Sequence, residues 1–174
     1  MAQQIEIKRL TNANVYVDGS SLLGKVDECK LPEVKVTMTE HKALGMVGKL
    51  EFPSGIDKLE ATFKWNSLYS DVLAKVANPY TACEVQLRGS LETYGNNGRT
   101  DEVPVVVYLT GTFNKFPMGG FKQHDNVEAE TTMSVTYCKM EIDGAVILEV
   151  DALANIYKSG DTDLLATYKT NIGG

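Results

Sequence analysis

The sequence predicts a mainly β protein: an antiparallel β-sandwich or barrel with one flanking α-helix and an extended hairpin. Three observations carry that expectation. Asp-Gly pairs at 18–19 and 143–144 each sit between extended runs, and a two-residue Asp-Gly loop supplies the positive φ values of a type I′ hairpin turn. Several stretches alternate apolar and polar residues, the period of a half-buried strand. One stretch alone, Leu68 to Val76, spaces its apolar residues as a helix does.

Taken in order, residues 1–14 mix charge and polarity and read as an N-terminal arm. Asn14 to Ser20 forms the first Asp-Gly hairpin, with a second strand expected through Leu22 to Lys30. After Pro32, Val34, Val36 and Met38 alternate with Lys35, Thr37 and Thr39, a half-buried strand. Residues 40–55 fit neither a clean helix nor a clean strand. Glycines stand at 45, 48 and 55, and Leu44, Met46, Val47, Leu50 and Phe52 lie among them. Such a loop either folds onto its own core or is an interface arm that buries these side chains in a neighbour.

Leu59, Ala61, Phe63 and Trp65 alternate with Glu60, Thr62 and Lys64, the clearest strand in the chain. Asn66 or Ser67 can then cap a helix with the stripe Leu68, Val72 and Val76, ended by Asn78-Pro79. Strands resume at Thr81, turn at Gly95 to Gly98, and continue through Val103 to Phe113. That run is nearly continuous in apolar and β-branched residues and reads as a central strand covered on both sides. The loop through Gly119-Gly120 leads to a strand from Val127. Leu164, Leu165 and Tyr168 are expected to pin the tail in a short helical turn. The tally is about eight strands and one helix in a single domain over 1–174.

Thr131 to Asp151 forms the extended hairpin. Counting from Asp143-Gly144 pairs Met140 with Ile147, Lys139 with Leu148 and Tyr137 with Val150. Near the root, Met133, Val135, Tyr137, Leu148 and Val150 share one face. Near the tip, Met140, Ile142 and Ile147 lie on the other. A hairpin that changes its apolar side either serves two surfaces, its own core and another subunit, or bends so that both halves cover one core.

Composition narrows the function classes. The chain has 174 residues, 43% hydrophobic and 23% charged, ordinary for a globular protein. No apolar run approaches the roughly 20 residues of a membrane-spanning helix, and the start of the chain lacks a signal-peptide core. Cys29, Cys83 and Cys138 are far apart and read as buried thiols. Net charge is -6, which argues against direct nucleic-acid binding. His41 and His124 have no metal-ligand spacing. No nucleophile elbow, Cys-x-x-Cys, phosphate loop or dinucleotide fingerprint is present. Glu128 and Glu130 share a strand face, but no apolar pocket is evident that would split their pKa values for acid–base work. The residues thus point to no enzyme and no cofactor.

Six stretches carry a resemblance to a known family: Leu10 to Gly19, Leu31-Pro32 with the strand after it, Gly45-Met46, Val103 to Val106, Tyr137 to Gly144 with Leu148 to Asp151, and Tyr168 to Gly173. In this order and spacing they resemble the major tail tube proteins of contractile-tailed phages, the P2-like family also represented in R-type bacteriocins. The resemblance implies a structural subunit in stacked, hexameric rings that form a hollow tube inside a sheath. It implies self-contacts, contacts with tail sheath, tape-measure and baseplate proteins, and DNA passing without specific binding. The location it implies is the virion tail, with assembly in the host cytoplasm. Leu44, Met46, Val47, Leu50, Phe52, Met140, Ile142 and Ile147 are then candidate interface residues. Glu128, Glu130, Thr132, Ser134 and Thr136 are candidates for the lumen wall, or else a solvated outer face. Six subunits at -6 each would put -36 on a ring, a charge that repels phosphate. The alternatives are the tube of a bacteriocin or other injection particle, and a monomeric β-sandwich that binds a ligand. Trp65, on the apolar face of its strand, counts against the latter.

Overall fold

The computed structural model describes residues 5–173, which form twelve strands and two helices. β1 (Ile7–Val17) turns at Asp18 and Gly19, with φ of 47° and 77°, into the two-residue β2 (Ser20–Ser21). The Asp-Gly expectation holds, but the second strand stops at Ser21. β3 (Val26–Lys30) leaves that hairpin and pairs with β6 (Leu59–Trp65). Residues 7–14 are not a free arm: from Ile7 onward β1 pairs with β7 (Cys83–Gly95). Residues 1–4 of that expected arm lie outside the described residues.

Between β3 and β6, β4 (Val36–His41) and β5 (Leu50–Ile56) make a separate two-stranded hairpin joined by residues 42–49. The region expected to be a half-buried strand followed by an irregular loop is therefore an extended β arm. It is exposed along nearly its whole length.

α1 (Ser70–Val76) follows β6 and buries Val72 and Val76, two members of the anticipated stripe. Its N-cap is Tyr69, which makes no side-chain cap. Neither Asn66 nor Ser67 caps it. The Asn66 amide donates to the Gly24 carbonyl, and its carbonyl accepts from the Tyr69 hydroxyl. β7, β8 (Gly98–Lys115), β9 (Ala129–Ile142) and β10 (Ala145–Asp151) then run antiparallel, followed by β11 (Ile156–Ser159), β12 (Thr162–Asp163) and α2 (Ala166–Asn171).

The main sheet has the order β12-β11-β10-β9-β8-β7-β1-β2, and it splits on β9. Residues 137–142 of β9 pair with β10, whereas residues 129–135 pair with β6, which carries β3. Partners directly opposite share a face, so Val17, Val85, Leu109, Cys138 and Val150 form one buried row across five strands. The β6 branch adds Leu59, Ala61, Phe63 and Trp65 to the same core. The Trp65 indole N–H donates to the Thr131 hydroxyl at 3.0 Å, and Thr131 is itself fully buried. That bond removes the cost of burying both polar groups.

The change of apolar side along the 131–151 hairpin has a local cause. Thr110 of β8 pairs with Tyr137 and Gly111 pairs with Val135, so Thr136 is an extra residue in β9. This β-bulge shifts the period by one. Ala129, Thr131, Met133 and Val135 face the core before it, and Cys138 and Met140 face the same core after it. Of the two readings left open by the pattern, the bent hairpin over one core is the observed one. A second bulge makes Ile147 the extra residue of β10. Met140 therefore pairs with Leu148 rather than Ile147, Lys139 with Glu149, and Val150 with Cys138 rather than Tyr137.

The bulge at Thr136 needs Gly111. A Cβ built there would lie 2.0 Å from the Ser134 carbonyl oxygen. β8 is central, between β7 and β9, but only one of its faces is sealed. Val107, Leu109 and Phe113 are buried, whereas Val106, Tyr108, Thr110 and Thr112 are half-buried. Among the described residues, the expected cover is present on one side only.

Candidate assembly surfaces

The arm is the most conspicuous of the exposed apolar surfaces. Leu44 and Val47, in the tip loop, are as exposed as in an extended chain, at 104% and 109%. Val36, Met38, Met46, Leu50 and Phe52 are each exposed by between 38% and 52%. The only aromatic contact along the arm is His41 edge-on to Phe52, with ring centroids 6.0 Å apart. The strands are held by their own ladder, by Lys49–Glu40 at 2.9 Å, and by the Ser54 hydroxyl on the Thr37 carbonyl. An isolated two-stranded hairpin is marginal in water, and an exposed ion pair adds only about 0–1 kcal/mol. The arm's five sequence-derived candidates are thus brought together on one protruding element and do not touch the core of their own chain.

The hairpin tip is different. Met140 is half-buried and packs against the core, Ile142 is half-buried, and only Ile147, in its bulge, is largely exposed. The three do not form one patch, because the bulge moves Ile147 out of register with Met140.

Glu130, Thr132 and Ser134 share the outer face of the β6–β9 branch with Glu60, Thr62 and Lys64. Glu128, just before β9, is exposed. Glu130 accepts from Lys115 at 2.6 Å, and this hydrogen bond holds its carboxyl below the usual range. Lys64 pairs with Glu28 at 2.5 Å, which raises its pKa, with Glu130 and Glu128 adding to the effect. Lys58 pairs with Glu60 at 3.2 Å. Ser134 accepts from the Asn114 amide, and the Thr136 hydroxyl donates to the Thr110 carbonyl beside the bulge. Apart from Glu128, the charges of this face are paired, so it is a mixed polar surface rather than a bare acidic one.

Two surfaces escaped the sequence reading. The uncovered side of the main sheet carries the row Tyr16, Gln86, Tyr108, Lys139, Glu149 and Lys158, neighbour to neighbour across six strands. Lys139 lies 4.5 Å from the Tyr108 ring centroid and pairs with Glu141 at 2.8 Å. Glu149 accepts from Lys158 at 2.8 Å and from the Tyr137 hydroxyl at 3.2 Å. Those bonds hold the Glu149 carboxyl below its usual value, while burial, with Glu149 beside it, pushes Tyr137 up to about 12. The second missed surface is at the chain's end. Leu153, Leu164, Tyr168 and Ile172 are exposed, so α2 does not pin its apolar side chains into the core. A signal for it existed: large apolar residues clustered in a turn-rich stretch without period, as in the arm.

Among the described residues, no group of three His, Cys, Asp or Glu side chains is placed to hold a metal ion, and no helix is long and apolar enough to cross a membrane. Burial raises the pKa of all three cysteines, that of Cys29 to about 12.

Comparison with known proteins agrees with this architecture. A family model described as phage tail tube protein FII matches residues 7–173. The chain is 24% identical over 172 residues to the tail tube protein of Escherichia phage P2, covering 95% of this chain and 97% of that protein. It is 24% identical over 159 residues to the major tail tube protein of Serratia phage KSP20, covering 90% of each. Among solved structures, a chain from the sheath–tube complex of an extracellular contractile injection system (PVC, extended state) superposes with a TM-score of 0.52 at 11% identity. The superposition covers 74% of this chain and 87% of that one, a likeness of fold.

Proposed function

The chain belongs to the phage tail tube protein FII family, and from that premise we propose that it assembles into stacked hexameric rings whose bore conducts DNA. It is a structural subunit of a contractile tail tube and a component of the virion tail. The observation that carries the finer reading is the arm. A β-hairpin with seven exposed apolar side chains, whose tip no described residue covers, is an element built for burial elsewhere. An interface that joins unlike patches generates rings when its rotation closes and stacks when it does not.

The remaining expectations follow from the same premise. The tube lies inside a sheath, ends on baseplate and tape-measure proteins, and is assembled in the host cytoplasm. A net charge of -6 per subunit, with the charges of the β6–β9 face paired apart from Glu128, lets a polyanion pass without being held. The subunit performs no catalysis. Both relatives are phage tail proteins, which favours a DNA-carrying tail over a bacteriocin tube.

Negative-stain microscopy tests the assembly. The purified chain is expected to form rings or open-bored tubes. Replacing Leu44 and Val47 by Ser should leave the monomer within about 0.5 kcal/mol of its original stability, since both side chains are solvated, and should abolish tubes. Tubes formed as readily by the double variant would remove the arm from the interface. A wild-type chain that stays monomeric at high concentration, even beside a baseplate protein, would sink the ring-and-stack reading.

A further inference from the structure

We propose that the apolar groove at the root of each arm receives the arm tip of a second copy. The inference rests on the tube reading above and adds the acceptor surface. The groove is a cavity of about 700 Å³ that lies between the arm root and the chain's last elements. Val36 and Ile56 form one wall, and Ile156, Tyr157, Leu164 and Tyr168 form the other. Asp151 is the one charged residue in the lining. Its volume falls in the range of roughly 300–1,000 Å³ typical of sites that bury a ligand. Leu164 and Tyr168 are 59% and 52% exposed there.

The tip has the matching chemistry. Ala43 to Gly48 is six residues without a charge, carrying Leu44, Met46 and Val47, and it is flanked by Lys42 and Lys49. The apolar side chains match the groove walls, and Lys42 is opposite in sign to Asp151, while Lys49 is held by Glu40 of its own arm. The tip cannot enter its own groove. β4 and β5 are paired from Val36–Ile56 to His41–Leu50, and six residues at about 3.3 Å each hold the tip roughly 20 Å from the root. A tip seated in this groove therefore comes from another copy.

Leu44 and Val47 are fully exposed and Met46 is partly so, and the tip they form supplies one part of the roughly 800 Å² per partner that a standard interface buries. Because tip and root groove are different patches of one chain, the contact is heterologous and each copy both gives and receives one. Arms would then overlap tip to root, each holding the next.

Cross-linking separates this contact from assembly as such. Val47→Cys and Leu164→Cys chains are mixed, allowed to assemble, treated with a short bismaleimide, and run on a denaturing gel beside micrographs of the same sample. Cys83 and Cys138 are buried and the Cys29 thiol is pushed up to about 12, so the native thiols react slowly. A cross-linked dimer in the mixture, absent from either variant alone, is expected. In a second measurement free of cysteines, Leu164→Glu should lower polymer yield at least tenfold with an unchanged far-UV circular dichroism spectrum. Tubes without the Val47–Leu164 cross-link, or an unchanged yield with Leu164→Glu, overturn the tip-in-groove contact and leave the tube reading standing. A wild-type chain that forms no assembly at all overturns both.

Discussion

Gly111→Ala is the substitution in which local backbone preference and tertiary packing oppose each other most sharply. Gly111 is not among the residues with positive φ, so alanine is compatible with its backbone. By the unfolded-state argument alone, alanine should stabilise by about 0.4–1 kcal/mol. The packing says otherwise. The new Cβ would sit 2.0 Å from the Ser134 carbonyl oxygen and 2.9 Å from both the Ser134 carbonyl carbon and the Val135 Cα. These are backbone atoms at the bulge, so no side-chain rotation relieves the clash. β9 must retreat by about 1 Å or more, which forfeits much of the dispersion attraction along the seam. Overpacking costs about 1–3 kcal/mol, and each buried hydrogen bond that breaks adds about 1–3 kcal/mol. The β8–β9 pairs at Gly111–Val135 and Thr112–Ser134 are the ones at risk. The expected loss is about 3–5 kcal/mol, or roughly 10 °C in Tm for a chain of this size. Gly89→Ala is the control. Its closest contact, at 2.9 Å, is the terminal methyl of Leu10, which can rotate away, and the Asn12 carbonyl oxygen at 3.2 Å has to give by only a few tenths of an ångström, so its cost should stay under about 1.5 kcal/mol. The assay is thermal and urea unfolding of unassembled chain, followed by circular dichroism. A Gly111→Ala variant within about 1 kcal/mol of wild type would refute the claim that the missing Cβ is what permits the bulge.

Two further outcomes follow. Thr131→Val removes the acceptor of the buried Trp65 N–H and should cost about 1–3 kcal/mol in urea unfolding, whereas Thr131→Ser keeps the hydroxyl and should cost clearly less. The Glu149 carboxyl is held below its usual value, first by the hydrogen bond from Lys158. A depressed folded pKa contributes stability that is fully present above the unfolded value and is lost as pH falls through the folded value. Wild type should therefore exceed Glu149→Gln in urea midpoint at pH 7. The gap should close as pH is lowered through and below the ordinary glutamate range, and a gap independent of pH would count against the assignment.

How much was legible in the sequence varied with the range of the interaction involved. The β6 alternation was readable because each side chain's face follows from its own position in a two-residue period. The five arm candidates were readable as misplaced apolar residues, since glycine-rich context and missing period mark a segment that its own core does not claim. The hairpin tip was left with two readings. An apolar pattern records which residues want burial, but not the bulge that lets two offset halves of one strand reach the same core. The lumen-wall candidates were legible as polar, yet the pairing of Glu130 with Lys115 and its place opposite Lys64 depend on strands 15 to 66 residues away in sequence.

Short-range signals in the chain settled the Asp18-Gly19 and Asp143-Gly144 turns, the strand period of Leu59 to Trp65, and the helical stripe through Val72 and Val76. Each depends on φ preferences or spacing within a few residues. Tertiary structure alone decided the register beyond the turns, the split of the sheet on β9, and the arm's separation from the core. Register depends on what a strand meets across the ladder. At Thr136 it is set by a glycine on the neighbouring strand, whose missing side chain leaves room for a carbonyl that no pattern in β9 reveals.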